Sequence, residues 1–353
     1  MVRTEQDPLL LQALERTEPQ EADAVKLVFQ ALLGCGHLLA DEETVTARVR
    51  QELSGLEASG EEPLFEPLSR DYGRLNLRPA MARGLRAEWI ARLMLMSDQP
   101  KATRADVAAL LKELNREGRL CLREDWSGRI TDPHWLPNHS EAYRAAHHPA
   151  YRVIGSSPAA LLPVLSAAAK AGCGRPRCLI TVDGPCGSGK TTLAAGLAQV
   201  LQAPVVHTDD FVVPHSQKTP ERLAQPGGNE DHERLLTEFV LPWLREGRAL
   251  ICRYSCREDR LLAPEPVPDA PFAILEGSYS NMPALREQAA VRVFVTAAPE
   301  KRLRRIALRD GEDALPMYRA RWIPLEEAYL SAFGLPDAGC IRVDGMGPRM
   351  GGS

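Results

Sequence analysis

Several features are missing from this sequence, and each absence closes a class of function. There is no excess of positive charge: the formal net charge is −4, so no global basic field points to nucleic acid. No apolar run approaches the roughly 18–20 residues that a membrane span needs. The N-terminal stretch MVRTEQDPLLLQALERTEPQ interrupts its apolar residues with Gln and Glu. It makes a poor secretory leader, so the expected compartment is cytoplasmic. Cysteine pairs are missing too. Eight cysteines are spread along the chain with no CxxC spacing, which reads as free thiols. Cys173/Cys178 and Cys252/Cys256 are the closest pairs, but their spacings are not those usual for zinc. His134, His139, His147 and His148 read as surface or structural histidines. What remains is a chain of 353 residues, 44% hydrophobic and 25% charged. That is the composition of a globular protein with room for two domains.

Residues 1–150 read as a mainly helical domain of unassigned function. Apolar residues recur at helical spacing over 23–40, with Gly34 and Gly36 as an interruption, and over 80–96. Residues 102–118 give the cleanest helix, with Val107, Leu110, Leu111 and Leu114 on one face and Gly118 as a stop. RLCLRE and GRIT, flanking DWSG, predict a short hairpin. Helix plus hairpin is compatible with a winged-helix fragment, but the region lacks a basic stripe, which argues against nucleic acid. Segment 138–155 reads as connecting structure and 157–172 as a helix. A linker helix is therefore expected over 151–175, a second domain over 176–346 and a flexible tail over 347–353.

The pattern changes after residue 176. CLITV, APVVHT, ALICRYS, PFAILEG, AVRVFVTA and CIRVD are short apolar runs between helical stretches. Runs without in/out alternation suit parallel strands buried on both faces. The expected fold class is α/β, a doubly wound parallel sheet of the P-loop type. Chemistry is then expected just beyond the carboxyl end of each strand.

Gly184 to Thr191 fits GxxxxGK[ST] at every fixed position, with a strand before it and a helix after it. Gly184, Gly187, Ser188, Gly189, Lys190, Thr191 and Thr192 are the expected nucleotide-binding residues. Backbone N–H groups and the helix dipole would face phosphate oxygens. Lys190 would reach the β- and γ-phosphates, and Thr191 would offer its hydroxyl to Mg²⁺. After the next strand come Asp209 and Asp210. A carboxylate there can serve as a base for an acceptor hydroxyl, or cap a following segment. Glu276 ends a later strand at the ligand edge. Arg302, Arg305 and Arg309 share one helix face. They form either a phosphate clamp or a solvated basic face.

GPCGSGKTTLA, HTDDFVVP, FAILEGSY and RLRRIALRD, in that order, resemble the uridine kinase family of P-loop kinases. That group also includes pantothenate kinase, phosphoribulokinase and nicotinamide riboside kinase. The resemblance covers about residues 175–345. It implies ATP and Mg²⁺ as cofactors and a small-molecule hydroxyl as acceptor, a nucleoside or related riboside. It also implies Asp209, rather than Asp210, as the base, and a lid helix carrying Arg302, Arg305 and Arg309. By the same resemblance, Lys190, Arg305 and Arg309 join Asp209 in catalysis and Arg302 contacts the nucleotide. Glu276 serves the metal with Thr191, and Asp231, Tyr254 and Glu276 line the acceptor pocket. Asp231 reads equally well as a helix-terminal carboxylate, and Tyr254 as a core aromatic. Val212 departs from the family, whose members often carry a second aromatic there, and residues 212–232 match no one substrate class. WIPLEEAYLSAFG (322–334) suits a helix of a uridine kinase-like branch. A different class remains in view: a nucleotide-dependent ATPase or switch whose N-terminal domain binds a macromolecule. No NKxD motif supports it, and the 271–275 strand ends in Glu-Gly.

Overall fold

The structure, a computed structural model, describes residues 7–16 and 20–345. The tail expected over 347–353, and parts of the N-terminal stretch read for a leader, lie outside them. The chain divides into two compact units, Met1–Ala159 and Ala160–Ser353.

In the first unit, helices Glu21–Leu33 and Arg104–Arg116 pack their apolar faces together. Val25, Val28 and Phe29 meet Val107, Leu111 and Leu114 in one core. Thr103 and Asp106 form a capping box that starts the second of these helices. The stretch read as one helix over 80–96 is two, Leu77–Ala82 and Ala87–Leu95, with Gly84 at positive φ between them. The domain also holds a three-stranded antiparallel sheet: Phe65–Pro67, Tyr72–Asn76 and Tyr151–Gly155. Residues 151–155 are thus an edge strand and not part of a linker helix. The helix expected over 157–172 is two, Ser156–Ala159 and Leu162–Gly172.

The predicted hairpin at 119–131 is absent. Residues 119–126 form no strand, and Ser127–Thr131 is a short helix. The carboxylate of Glu21 accepts hydrogen bonds from the N–H groups of Arg123 and Glu124 and from the Trp126 indole. A distant side chain therefore supplies the partners that a second strand would have given.

A buried polar cluster ties the sheet to the first core helix. His139 Nδ1 lies 2.9 Å from Asp23 Oδ1, and its ring stacks on Tyr143. Its other nitrogen meets the Tyr151 hydroxyl. Burial, opposed by the hydrogen bond to Asp23, brings His139 down from 6.5 to about 4. The unfolded chain therefore binds a proton between those values that the folded chain refuses, so acidification through this window is expected to cost stability. Denaturant unfolding of the full chain, followed by tryptophan fluorescence, should show its midpoint falling from pH 7 to pH 5. His139→Asn should flatten that slope.

The second unit is built on five parallel strands in the spatial order Cys340–Asp344, Ala289–Thr296, Cys178–Asp183, Phe272–Glu276, Val205–His207. Cys178–Asp183 and Phe272–Glu276 are buried at every residue, which explains their unbroken apolar runs. The chain moves to one side of Cys178–Asp183 first and crosses to the other side later. The loop after this strand therefore opens at the switch point. ALICRYS does not join the sheet. Ala249–Ile251 pairs antiparallel with Glu265–Val267, and Tyr254–Ser255 pairs with Arg260–Leu261. Two helical stretches widen to π-turns, at Leu235–Val240 and Tyr318–Trp322. In each, a proline (Pro242 or Pro324) follows two residues later. It lacks the N–H that a regular turn would use.

Candidate functional site

Loop 184–189 leaves the central strand and runs into helix Lys190–Leu201. Its first turn is fixed by Asp183, a fully buried carboxylate. Asp183 accepts from Gly184 N, Asn281 N and the Tyr329 hydroxyl at 2.6, 2.9 and 2.7 Å. Gly184 and Gly187 have φ of 141° and 72°. A Cβ on Gly187 would sit 2.7 Å from the Arg302 carbonyl oxygen, so both conformation and space require glycine there.

Two side chains hold the loop at Cys186. Glu326, only 6% exposed, accepts the Cys186 N–H with its two oxygens at 2.9 and 3.0 Å. It also accepts the Ser278 hydroxyl at 2.7 Å. Arg302 donates to the Cys186 carbonyl at 2.8 Å and lies 3.6 Å from Glu326. Burial, then Glu326, pushes the Cys186 thiol up to about 11, so it adds no negative charge to the loop at neutral pH. Arg305 donates to the carbonyls of Gly187, Ser188 and Gly345. The face expected as a phosphate lid is thus fastened to the back of the loop through two of its three arginines. Arg302 is not among the residues that line the cleft described below. Arg305 and Arg309 are, and Arg309 bonds Asp310 and Tyr318.

A cleft of about 1040 Å³ lies over the loop. Lys190 reaches into it and meanwhile donates to Gly184 O at 2.8 Å and Ser278 Oγ at 3.2 Å. Its ammonium has no ion pair among the described residues, which leaves it fit to receive phosphate. Ser188 is fully buried with an unpartnered hydroxyl. Thr191 Oγ1 donates to Glu276 Oε1 at 3.2 Å. Two hard oxygens side by side suit Mg²⁺, which keeps much of its water and takes few protein ligands. Glu276 Oε2 lies 2.6 Å from His207 Nδ1. The two residues are register partners on adjacent strands. This hydrogen bond, against burial, raises His207 above its ordinary value.

Asp209 follows the strand end at His207 and opens onto the same cleft. Its carboxyl is pushed up, first by burial among protein atoms and then by Glu276, with Lys190 and His207 opposing. Asp210 is not among the lining residues and faces Arg253 at 3.7 Å. Asp231 and Tyr254 do not line the cleft either. Asp231 caps a helix, accepting from Arg234 N at 3.2 Å. Tyr254 bonds Asp259 and His215 and is buried. Both adopt the structural alternative that the sequence left open. Gly184 does not line the cleft, whereas Gly187, Gly189, Thr191 and Thr192 do.

Residues that the sequence did not single out complete the site: Glu326, Ser278, His207, Asn229, Glu230 and Lys218. His207 could have been found from the rule that strand ends carry the chemistry. Glu326 comes from a helix 136 residues after Lys190 in sequence, and no local signal marks it.

No protein-family model and no curated protein matches this chain. Among solved structures, it is similar to a possible uridine kinase from Bacillus stearothermophilus. The identity is 18%, over 52% of this chain and 100% of that one, with a TM-score of 0.39. It is also similar to a proposed fructose transport system kinase from Silicibacter sp. There the identity is 22%, over 52% of this chain and 98% of that one, with the same TM-score of 0.39.

Proposed function

We propose that this protein is an ATP- and Mg²⁺-dependent kinase that phosphorylates a hydroxyl of a small molecule, a nucleoside or related riboside. One observation carries the reading: Lys190, Thr191, Glu276 and Asp209 face a single cleft over a glycine loop. Backbone N–H groups of the loop and the start of helix Lys190–Leu201 hold the β- and γ-phosphates of ATP. Lys190 moves from the Gly184 carbonyl to those phosphates. Thr191 and Glu276 hold Mg²⁺, which offsets phosphate charge when bound. Asp209 takes the proton as the acceptor oxygen bonds to the γ-phosphorus and ADP leaves. Arg305 and Arg309 add positive charge at the cleft wall. Arg302 acts one step back, by holding Cys186.

The test is transfer from γ-labelled ATP to a panel of nucleosides, ribosides, sugars and pantothenate, with and without Mg²⁺. Labelled, acceptor-dependent product that needs Mg²⁺ supports the reading. Hydrolysis of ATP that no acceptor accelerates, but a macromolecule does, supports the ATPase alternative instead.

A further inference from the structure

The cleft wall beyond Asp209 has a polarity that the phosphate loop does not explain. Glu230 is 2% exposed and lines the cleft, yet its Oε2 has no hydrogen-bond partner. Asn229 beside it is 7% exposed, also lines the cleft, and leaves its Oδ1 unpartnered. Buried polar atoms are nearly always paired, so two adjacent orphans on one wall mark missing donors.

The backbone fixes this wall against the strand end that carries Asp209. Val213 N donates to Asn229 O at 3.0 Å, and Asp231 N donates to Phe211 O at 2.7 Å. Val212 and Glu230 form an antiparallel bridge between those two bonds. The segment is thus stitched to residues 211–213, immediately after Asp209. Asn229 and Glu230 are held on the cleft side, while Asp231 turns away to cap its helix.

The three oxygen-bearing groups on this wall, Asp209, Asn229 and Glu230, present acceptor atoms. Burial, and then Asp209, pushes the Glu230 carboxyl well above its ordinary range, with Lys218, a lining cation, opposing, and His215 is engaged by Asp259. Burial and the neighbouring Asp209 already disfavour charge on Glu230, so an anionic ligand would be disfavoured on this wall for the same reason, whereas a hydroxyl, donor and acceptor at once, can pair with the orphaned atoms.

We propose that Glu230 and Asn229 form the acceptor subsite, and that the acceptor is a neutral polyol. One of its hydroxyls faces Asp209, and a neighbouring hydroxyl donates to Glu230 and Asn229. This deepens the kinase reading and rests on it. Glu230 is a specificity-determining residue in this arrangement. Buried acceptors left unpaired penalise a substrate that lacks the second hydroxyl, which gives sharp discrimination.

The experiment uses the full chain with ATP and Mg²⁺. Its acceptors are uridine, adenosine, D-ribose and D-fructose as neutral polyols, D-glycerate and pantothenate as anions, and 1-propanol as a mono-alcohol. The best acceptor is expected to be a neutral polyol. Glu230→Met should raise its KM about tenfold with kcat changed less than threefold, and Glu230→Gln should recover much of the loss. Affinity for a non-hydrolysable ATP analogue should stay within twofold in both variants, which also shows that they fold. A deoxy acceptor lacking the non-reacting hydroxyl should be penalised in the wild type but not in Glu230→Met. The proposal is overturned if the best acceptor is an anion or the mono-alcohol. It is equally overturned if Glu230→Met keeps KM within twofold or still discriminates against the deoxy acceptor. If the analogue binds but no acceptor is phosphorylated, the kinase reading itself falls and this inference falls with it.

Discussion

Replacing Asp209 with Asn is expected to lower kcat by about 10²–10⁴-fold, the usual worth of a positioned general base. Affinity for an ATP analogue should change less than twofold. Asn has the same shape, so the cleft keeps its outline, but the amide cannot take a proton. Among the described residues, Asp209 has no hydrogen bond or ion pair to lose. Its removal therefore disturbs no part of the loop that Glu326, Arg302 and Arg305 hold. The pH profile supplies a second readout. Burial raises the Asp209 carboxyl above its ordinary 3.8. The base is lost to protonation as pH falls through that raised value, so kcat/KM should begin to fall at a higher pH than an ordinary aspartate would give. In Asp209→Asn this acid limb should vanish. Asp210→Asn is the control: it faces Arg253 outside the cleft and should cost less than threefold. Full activity in Asp209→Asn would remove the residue from the chemistry.

Legibility of the site followed the range of the interactions that build it. The loop was readable because its motif is confined to residues 184–191, and a glycine there answers a demand of the local backbone, as Gly184 does at φ 141°. The two central strands, Cys178–Asp183 and Phe272–Glu276, were readable because burial on both faces leaves an apolar run. ALICRYS misled because it was read by apolar content. Leu250 is 62% exposed between buried Ala249 and Ile251, the alternation of a ribbon and not of a central strand. Long-range partners were invisible. Glu21 satisfies backbone about 100 residues away and so abolishes a hairpin. Tyr72–Asn76 pairs with Tyr151–Gly155 across a similar gap in sequence. Asp231 and Glu230 show the finest limit. They are adjacent carboxylates, and only the bridge to Val212 decides which one faces the cleft.

Glu326→Ala is expected to weaken binding of an ATP analogue about 10²-fold, because Glu326, which also lines the cleft, holds the loop at Cys186. The carboxylate accepts three hydrogen bonds, two from one N–H and one from Ser278, and it neighbours the Arg302 guanidinium. Charged hydrogen bonds of this kind are worth about 1.5–3 kcal/mol each, and not additively. Without them the Cys186 N–H is left buried and unpaired, and Arg302, still bonded to the carbonyl of the same residue, loses its carboxylate neighbour. A loop so released must be reordered by the nucleotide. A reordering cost of about 2–3 kcal/mol corresponds to roughly 10²-fold in affinity. Glu326→Gln keeps one carbonyl acceptor but loses the charge opposite Arg302, so it should fall between the wild type and Ala, near tenfold. Titration calorimetry with the analogue, paired with melting curves, separates loop organisation from general unfolding. A variant that melts cooperatively near the wild-type temperature yet binds tenfold to a hundredfold more weakly has lost only the loop's geometry. Unchanged affinity in a folded Glu326→Ala would mean that Asp183 and Arg305 suffice to hold the loop, and that Glu326 serves packing alone.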